Sequence, residues 1–207
     1  IVKNPNICGN ISHIVYASSS SVYGLNKIPF TETDSLNNTN SPYALSKKVM
    51  EEYAALYYRL YRIKSIGLRF FTVYGPRGRP DMAPDKFLRA IHNQTSITQY
   101  GNGNSSRDYT YIEDIVSGVV SSLDKESNIE HQIYNLGNNN GITLKEFIST
   151  CEKVVGKKAI INQIENQKGD VPITLANIEK AKKELNYNPN TTLLKGLQKT
   201  YQYIINN

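Results

Sequence analysis

No glycine or proline interrupts the sequence from Tyr43 to Ile66, and a stretch of that length with this composition reads as one long helix. Ser41 and Pro42 mark its start: a serine oxygen can cap the free N–H groups of the first turn, and proline's fixed φ suits the first helical position. Short apolar runs lie on either side. HIVYAS (His13–Ser18) reads as a buried strand before the helix, and SIGLRFFTV (Ser65–Val73) as a second one after it. The alternation goes on. DKFLRAIHN is a helix, SITQYG (Ser96–Gly101) a strand, NGNSSRD a loop, Tyr111–Leu123 a helix and IYNLG a strand. Thr143–Val155 is a helix opened by a capping box of Thr143 and Glu146. Two more helices are expected near Asn177–Leu185 and Leu193–Ile205. Strands that alternate with helices place the chain in the α/β class.

Composition narrows the function classes. The 207 residues suffice for one medium domain with a real core, and no repeat or linker divides them. The net charge of +6 is spread as a lysine-rich surface with no dense Lys/Arg block, which argues against nucleic acid. Cys8 and Cys151 lie far apart with no CxxC spacing, so neither a disulfide framework nor a metal site is expected, and a reducing, cytoplasmic setting is. No apolar run approaches ~20 residues, so no membrane helix is expected. The first residue is Ile1 rather than methionine, and the chain is expected to be a fragment.

Two short motifs carry the chemistry. SSSSVYG follows the first strand, and SPYALSK opens the long helix. Residues four apart on a helix share a face, so Tyr43 and Lys47 can point into one cleft. A free tyrosine, with a pKa of about 10, is a poor base at neutral pH. A fixed ammonium beside it favours the phenolate and makes the pair a usable general base for a hydroxyl proton. A serine arriving from a strand end can orient that hydroxyl. A lone YxxxK is common, and the company it keeps gives it weight: RFFTVYGP at the end of the second strand, then GNGNSSRDYTYIED and GDVPITLA.

This ordered set resembles the extended short-chain dehydrogenase/reductase family, in its branch of NAD-dependent nucleotide-sugar epimerases and dehydratases. The resemblance runs from about His13 to the end of the chain. It implies the C-terminal part of a doubly wound, Rossmann-type fold with a smaller α/β substrate-binding subdomain. Residues 1–75 would form a partial Rossmann-type domain with the catalytic residues. Residues 76–207 would mainly bind nucleotide sugar, some segments returning to the Rossmann core. By the resemblance, Tyr43 is the catalytic base, Lys47 its partner and a holder of the nicotinamide ribose, and Ser19 the catalytic Ser/Thr. Phe70 and Val73 join Tyr43 and Lys47 around NAD. No GxxGxxG turn precedes Ser19, so the part that receives the NAD pyrophosphate is expected to be absent.

The resemblance also bears on the reaction. A 4,6-dehydratase of the family carries Asp and Glu directly after the catalytic Thr, and a UDP-xylose-forming decarboxylase typically carries Glu at the second of these places. Here they are Ser20 and Ser21, taken as substrate-binding, and hydroxyls cannot do the carboxylates' acid–base work. An epimerase needs neither carboxylate. RFFTVYGPRGRPDMA is similar to the corresponding stretch of UDP-glucuronate 4-epimerases, which implies that Thr72 and Arg79 lie near the sugar carboxylate; a planar guanidinium suits that group. Arg107 matches the diphosphate arginine, Lys86 a second diphosphate contact, Tyr100 the uracil side and Asp170 the ribose side. Gln167 is usual in the glucuronate branch. The expected activity is 4-epimerisation of a UDP-sugar, UDP-glucuronate first, with UDP-glucose 4-epimerase or an inactive nucleotide-sugar-binding remnant as alternatives. A homodimer through the long helix and the one before it in sequence is implied for the full-length protein, with Tyr53, Tyr57, Tyr58 and Tyr61 packing against neighbours or the partner subunit.

Overall fold

The computed structural model describes residues 11–125, 130–165 and 171–207. Its central sheet has three parallel strands in the order β1 (Ile14–Ser19), β2 (Ser65–Phe70) and β6 (His131–Leu136), in a register that sets Ser19 beside Phe70 and Phe70 beside Leu136. Between β1 and β2 run a single 3₁₀ turn (Ser20–Tyr23), a long loop and α1 (Pro42–Tyr61). The Ser41 side chain accepts the Ala44 N–H, so the cap expected of Ser41-Pro42 is made. No helix among the described residues is long and apolar enough to cross a membrane.

Side-chain alternation gives the sheet two unlike faces. On one, Val15, Ile66, Leu68, Tyr134 and Leu136 belong to a cluster with Ile115, Ala181, Leu185 and Tyr187. Those partners come from α3 (Ile112–Leu123) and from α5 (Glu179–Leu185) with the turn after it. The other face carries Tyr16, Ser18, Arg69 and Asn135, and α1 meets it with Glu51, which with Ala44 is one of the helix's two buried residues. Gly67 leaves room for its neighbours here, because a Cβ would lie 2.6 Å from the Tyr16 hydroxyl and from Ile133 Cδ1, and both side chains would have to shift.

A second core gathers Tyr74, Phe87, Leu88, Ile91, Ile97, Tyr109, Phe147 and Leu197. It lies among α2 (Ala83–His92), β4 (Ser96–Tyr100), β5 (Ser106–Tyr111), α4 (Leu144–Val155) and α6 (Leu193–Asn206). The capping box at the head of α4 is formed, with Glu146 accepting the Thr143 N–H at 2.9 Å.

Three local expectations are corrected. The run Ser65–Val73 is not one strand: it breaks at Phe71, and β3 (Thr72–Tyr74) leaves the central sheet to pair with β5. NGNSSRD is not loop throughout, because β5 begins at Ser106 and takes in Arg107 and Asp108; Tyr111 closes that strand and α3 starts at Ile112. Polar composition hid β5, whose Ser106, Asp108 and Thr110 are buried. The short strands β7 (Gly141–Thr143), antiparallel to β5, and β8 (Ile160–Ile164), parallel to β4, carry no pattern to announce them.

Candidate active site

The first turn of α1 stands over the C-terminal ends of β1 and β2, where ligands bind in open α/β sheets. A cavity of about 540 Å³ opens there. Its walls bring together Ser19, Ser20, Tyr43, Lys47, Phe70, Thr72, Val73 and Arg79 from segments far apart in sequence.

Tyr43 and Lys47 do share a face. The Lys47 ammonium lies 5.7 Å from the Tyr43 ring centroid and donates to the Ala17 carbonyl at 2.8 Å. That bond fixes the ammonium against the end of β1. Tyr43 itself is 56 % exposed, open to whatever enters the cavity.

Ser19 caps the 3₁₀ turn. Its hydroxyl oxygen accepts the Ser21 N–H at 3.2 Å and the Ser21 hydroxyl at 2.9 Å. A serine oxygen has two lone pairs, so both are taken and its proton is what it has left to offer. The turn ends at Gly24 (φ 54°), where a Cβ would lie 1.8 Å from the Asn38 carbonyl oxygen. Only glycine lets the loop close back on itself here.

On the opposite wall, the β3–α2 loop supplies Arg79. Its side chain is 74 % exposed and paired with Asp81, whose carboxyl is thereby held below the usual carboxylate range. Asp85, buried in the first turn of α2, also lines the cavity, with Arg89 bound to it at 2.7 Å. The cavity thus meets ligands with two cations, a phenol and a hydroxyl proton.

The remaining expected residues lie elsewhere. Ser21 sits one turn behind the wall, bonded to Ser19. Lys86 is exposed on α2, Tyr100 ends β4, and Arg107 on β5 donates to the Ser106 and Pro172 carbonyls at 3.0 and 3.2 Å. None of these four lines the cavity. Gln167 and Asp170 fall outside the described residues. Sequence reading passed over Ser18, Glu51 and Arg69. Two signals were available: Arg69 is a lone charge inside the apolar run IGLRFF, and Glu51 extends the Tyr43–Lys47 spacing by one more turn.

The model of the NAD dependent epimerase/dehydratase family matches residues 6–137. Protein CapI of Staphylococcus aureus is 42 % identical over 207 residues, which is 92 % of this chain and 62 % of that protein. UDP-glucuronate 4-epimerase 1 of Arabidopsis thaliana is 44 % identical over 208 residues, covering 93 % of this chain and 48 % of its own length. A solved structure of UDP-glucuronic acid 4-epimerase from Bacillus cereus, in complex with UDP-glucuronic acid and NAD, superposes with a TM-score of 0.89 at 35 % identity. That match covers 93 % of this chain and 61 % of the Bacillus protein. The chain therefore spans roughly half to three fifths of the length of these relatives.

Proposed function

The chain belongs to the NAD dependent epimerase/dehydratase family, and we propose that the protein carrying it is a UDP-glucuronate 4-epimerase, which interconverts UDP-glucuronate and UDP-galacturonate. The observation that carries this reading is the one cavity shared by Ser19, Tyr43 and Lys47 on one side and by Thr72 and Arg79 on the other.

The residues fit the nicotinamide end of NAD. Phe70 and Val73 offer apolar wall for the ring, and Lys47 and the Tyr43 phenol offer donors for ribose hydroxyls. When bound there, NAD would supply a reversible hydride acceptor for carbon 4 of the sugar. The chain's own residues manage protons and position. Tyr43 accepts the proton of the 4-hydroxyl and later gives it back, with the Lys47 ammonium 5.7 Å from its ring centroid. Ser19, with both lone pairs filled, donates its proton to the sugar oxygen and holds it facing Tyr43. Thr72 and Arg79 hold the sugar carboxylate. A carboxylate beside a 4-ketone is prone to lose carbon dioxide, and a firm grip on it slows that loss. Ser20 and Ser21 stand where elimination would need carboxylates, and they favour epimerisation over dehydration. Arg107 and Lys86 are assigned to the diphosphate, Tyr100 to the uracil and Asp170 to its ribose. We also assign the protein to the cytoplasm, as a homodimer through the exposed face of α1, where Tyr53 and Tyr61 are 60 % and 49 % exposed.

The test uses a polypeptide of the relatives' full length, incubated with NAD and UDP-glucuronate. The expected product is UDP-galacturonate, and Tyr43→Phe is expected to lower kcat by about 10²–10⁴-fold with substrate binding retained. Near-normal turnover in that variant, or conversion of UDP-glucose in place of UDP-glucuronate, overturns the reading.

A further inference from the structure

Beneath the cavity lies a buried polar network. Glu51 on α1 and Arg69 on β2 are 5 % and 3 % exposed. Arg69 grips the carboxylate with two bonds, Nε to Oε1 at 2.9 Å and NH2 to Oε2 at 2.7 Å. The Ser18 hydroxyl donates to the same Oε1. From its other side Arg69 donates to the Tyr23 hydroxyl at 2.8 Å, and Tyr23 donates to the Asn135 side chain at 2.7 Å. Tyr23 and Asn135 are fully buried.

The network touches the chain at two points that bracket Ser19. Ser18 immediately precedes it, and Tyr23 closes the 3₁₀ turn that Ser19 caps. It also lies next to the Lys47 anchor, since Ala17, whose carbonyl receives the ammonium, immediately precedes Ser18. Lys47 and Glu51 are one helical turn apart, so α1 grips the end of β1 twice, once at the Ala17 carbonyl and once at the Ser18 hydroxyl. A buried ion pair is often no more stable than a packed apolar pair of the same size. What it supplies instead is fixed geometry: a planar fork on a carboxylate allows one orientation, and a hydroxyl bonded to that carboxylate inherits it.

We propose that Ser18, Glu51 and Arg69 are positioning residues that hold the end of β1 so that Ser19 and Lys47 both meet the substrate and Tyr43 in register. For its catalytic consequence this rests on the epimerase reading above. Glu51→Ala would strand a buried guanidinium and risk unfolding, so the informative change is Ser18→Ala, which cuts the link at the strand and leaves the ion pair intact.

The experiment is a double-mutant cycle of Ser18→Ala with Ser19→Ala in the polypeptide of the relatives' full length, loaded with NAD. Ser18→Ala is expected to lower kcat by about 10-fold while KM stays near the parent's and the protein remains folded. In the Ser19→Ala background the same change is expected to lower kcat less, because one of the two residues being positioned is gone and only the Lys47 share of the loss remains. Ser18→Cys, which restores a weak donor, is expected to recover part of the rate. A parent-like kcat in Ser18→Ala, or an equal loss in both backgrounds, overturns the inference. A second readout separates it from the epimerase reading. In protein labelled with ¹³C at tyrosine, the Tyr43 ring resonance, assigned by its loss in Tyr43→Phe, is expected to move in Ser18→Ala as the Lys47 anchor shifts. An unmoved resonance overturns the positioning role even where the parent epimerises nothing, while a parent without epimerase activity but with a moved resonance overturns only the proposed reaction.

Discussion

Asp108 is fully buried where β5, the turn after β6 and the segment before α5 converge. Its carboxylate accepts the N–H groups of Asn138, Asn139 and Ala176 at 2.7 to 3.0 Å, and the Thr110 hydroxyl at 3.3 Å. Burial opposes the charge more strongly than these bonds support it, and the carboxyl is pushed up to about 6. In the unfolded chain it titrates near 3.9. A pKa raised by folding means that the folded state holds the proton more tightly. The resulting stabilisation is complete below about pH 4 and is lost as pH rises through about 6. Asp108→Asn cannot titrate, and it turns an amide against backbone donors. At pH 7 we expect it to be less stable by about 1–3 kcal/mol. Between pH 7 and pH 4 the gap in favour of the native residue should widen by up to about 3 kcal/mol. Urea unfolding of both proteins at the two pH values reads this directly, and a gap that does not change with pH would show the carboxyl to be ordinary.

At the scale of elements, α1 is unusual in that its working residues lie at its head. Ser41 is the cap, Pro42 the first helical residue and Tyr43 the next. The Ser41 oxygen accepts the Ala44 N–H at 3.1 Å, so the bond that closes the first turn also spans Tyr43. Loss of such a cap costs about 1 kcal/mol. Ser41→Ala is therefore expected to lower Tm by about 2–4 °C, and a frayed first turn should lower kcat as well because the phenol rides on it. Thr143→Ala removes an equivalent cap from α4, outside the cavity's lining, and is expected to lower Tm alike with kcat unchanged. Equal kinetic losses in the two variants would break the link between the α1 cap and the phenol.

For the molecule as a whole, the described part of the central sheet has β1 and β6 at its edges. The 207-residue sequence contains no GxxGxxG pattern of the kind that opens a helix toward a pyrophosphate. Expressed alone, these residues are expected to show no NAD binding above background by calorimetry, and an unpaired β1 edge should promote association. Joined to the portion that the relatives have in addition, they should bind NAD and remain dispersed. Stoichiometric NAD on the 207 residues alone would refute the placement of the cofactor's far end outside them.

Some of this was written in the sequence in local form. The cap and proline of α1, the capping box of α4, the apolar run of β1, the start of β2 at Ser65 and the Tyr43–Lys47 spacing depend on neighbours within a turn or two, and each is found where the residues set it. What depends on distant partners was not legible. Arg107 looked like a loop cation because Ser106, Asp108 and Thr110 are polar; they form a buried strand because backbone and hydroxyl groups brought from Thr110, the Asn138–Asn139 turn and the segment around Thr174 and Ala176 satisfy them. Nothing local marks Phe71 as the point where the chain leaves one sheet for another, since that is decided by β5 arriving beside Thr72–Tyr74. The pairing of Glu51 with Arg69, and the meeting of Tyr43 with Thr72 and Arg79, follow from the parallel registry of β1 and β2 and the helix that crosses between them. Periodicity and capping act within the chain's own reach, whereas burial, strand pairing and the satisfaction of buried polar groups are settled only when remote segments come together.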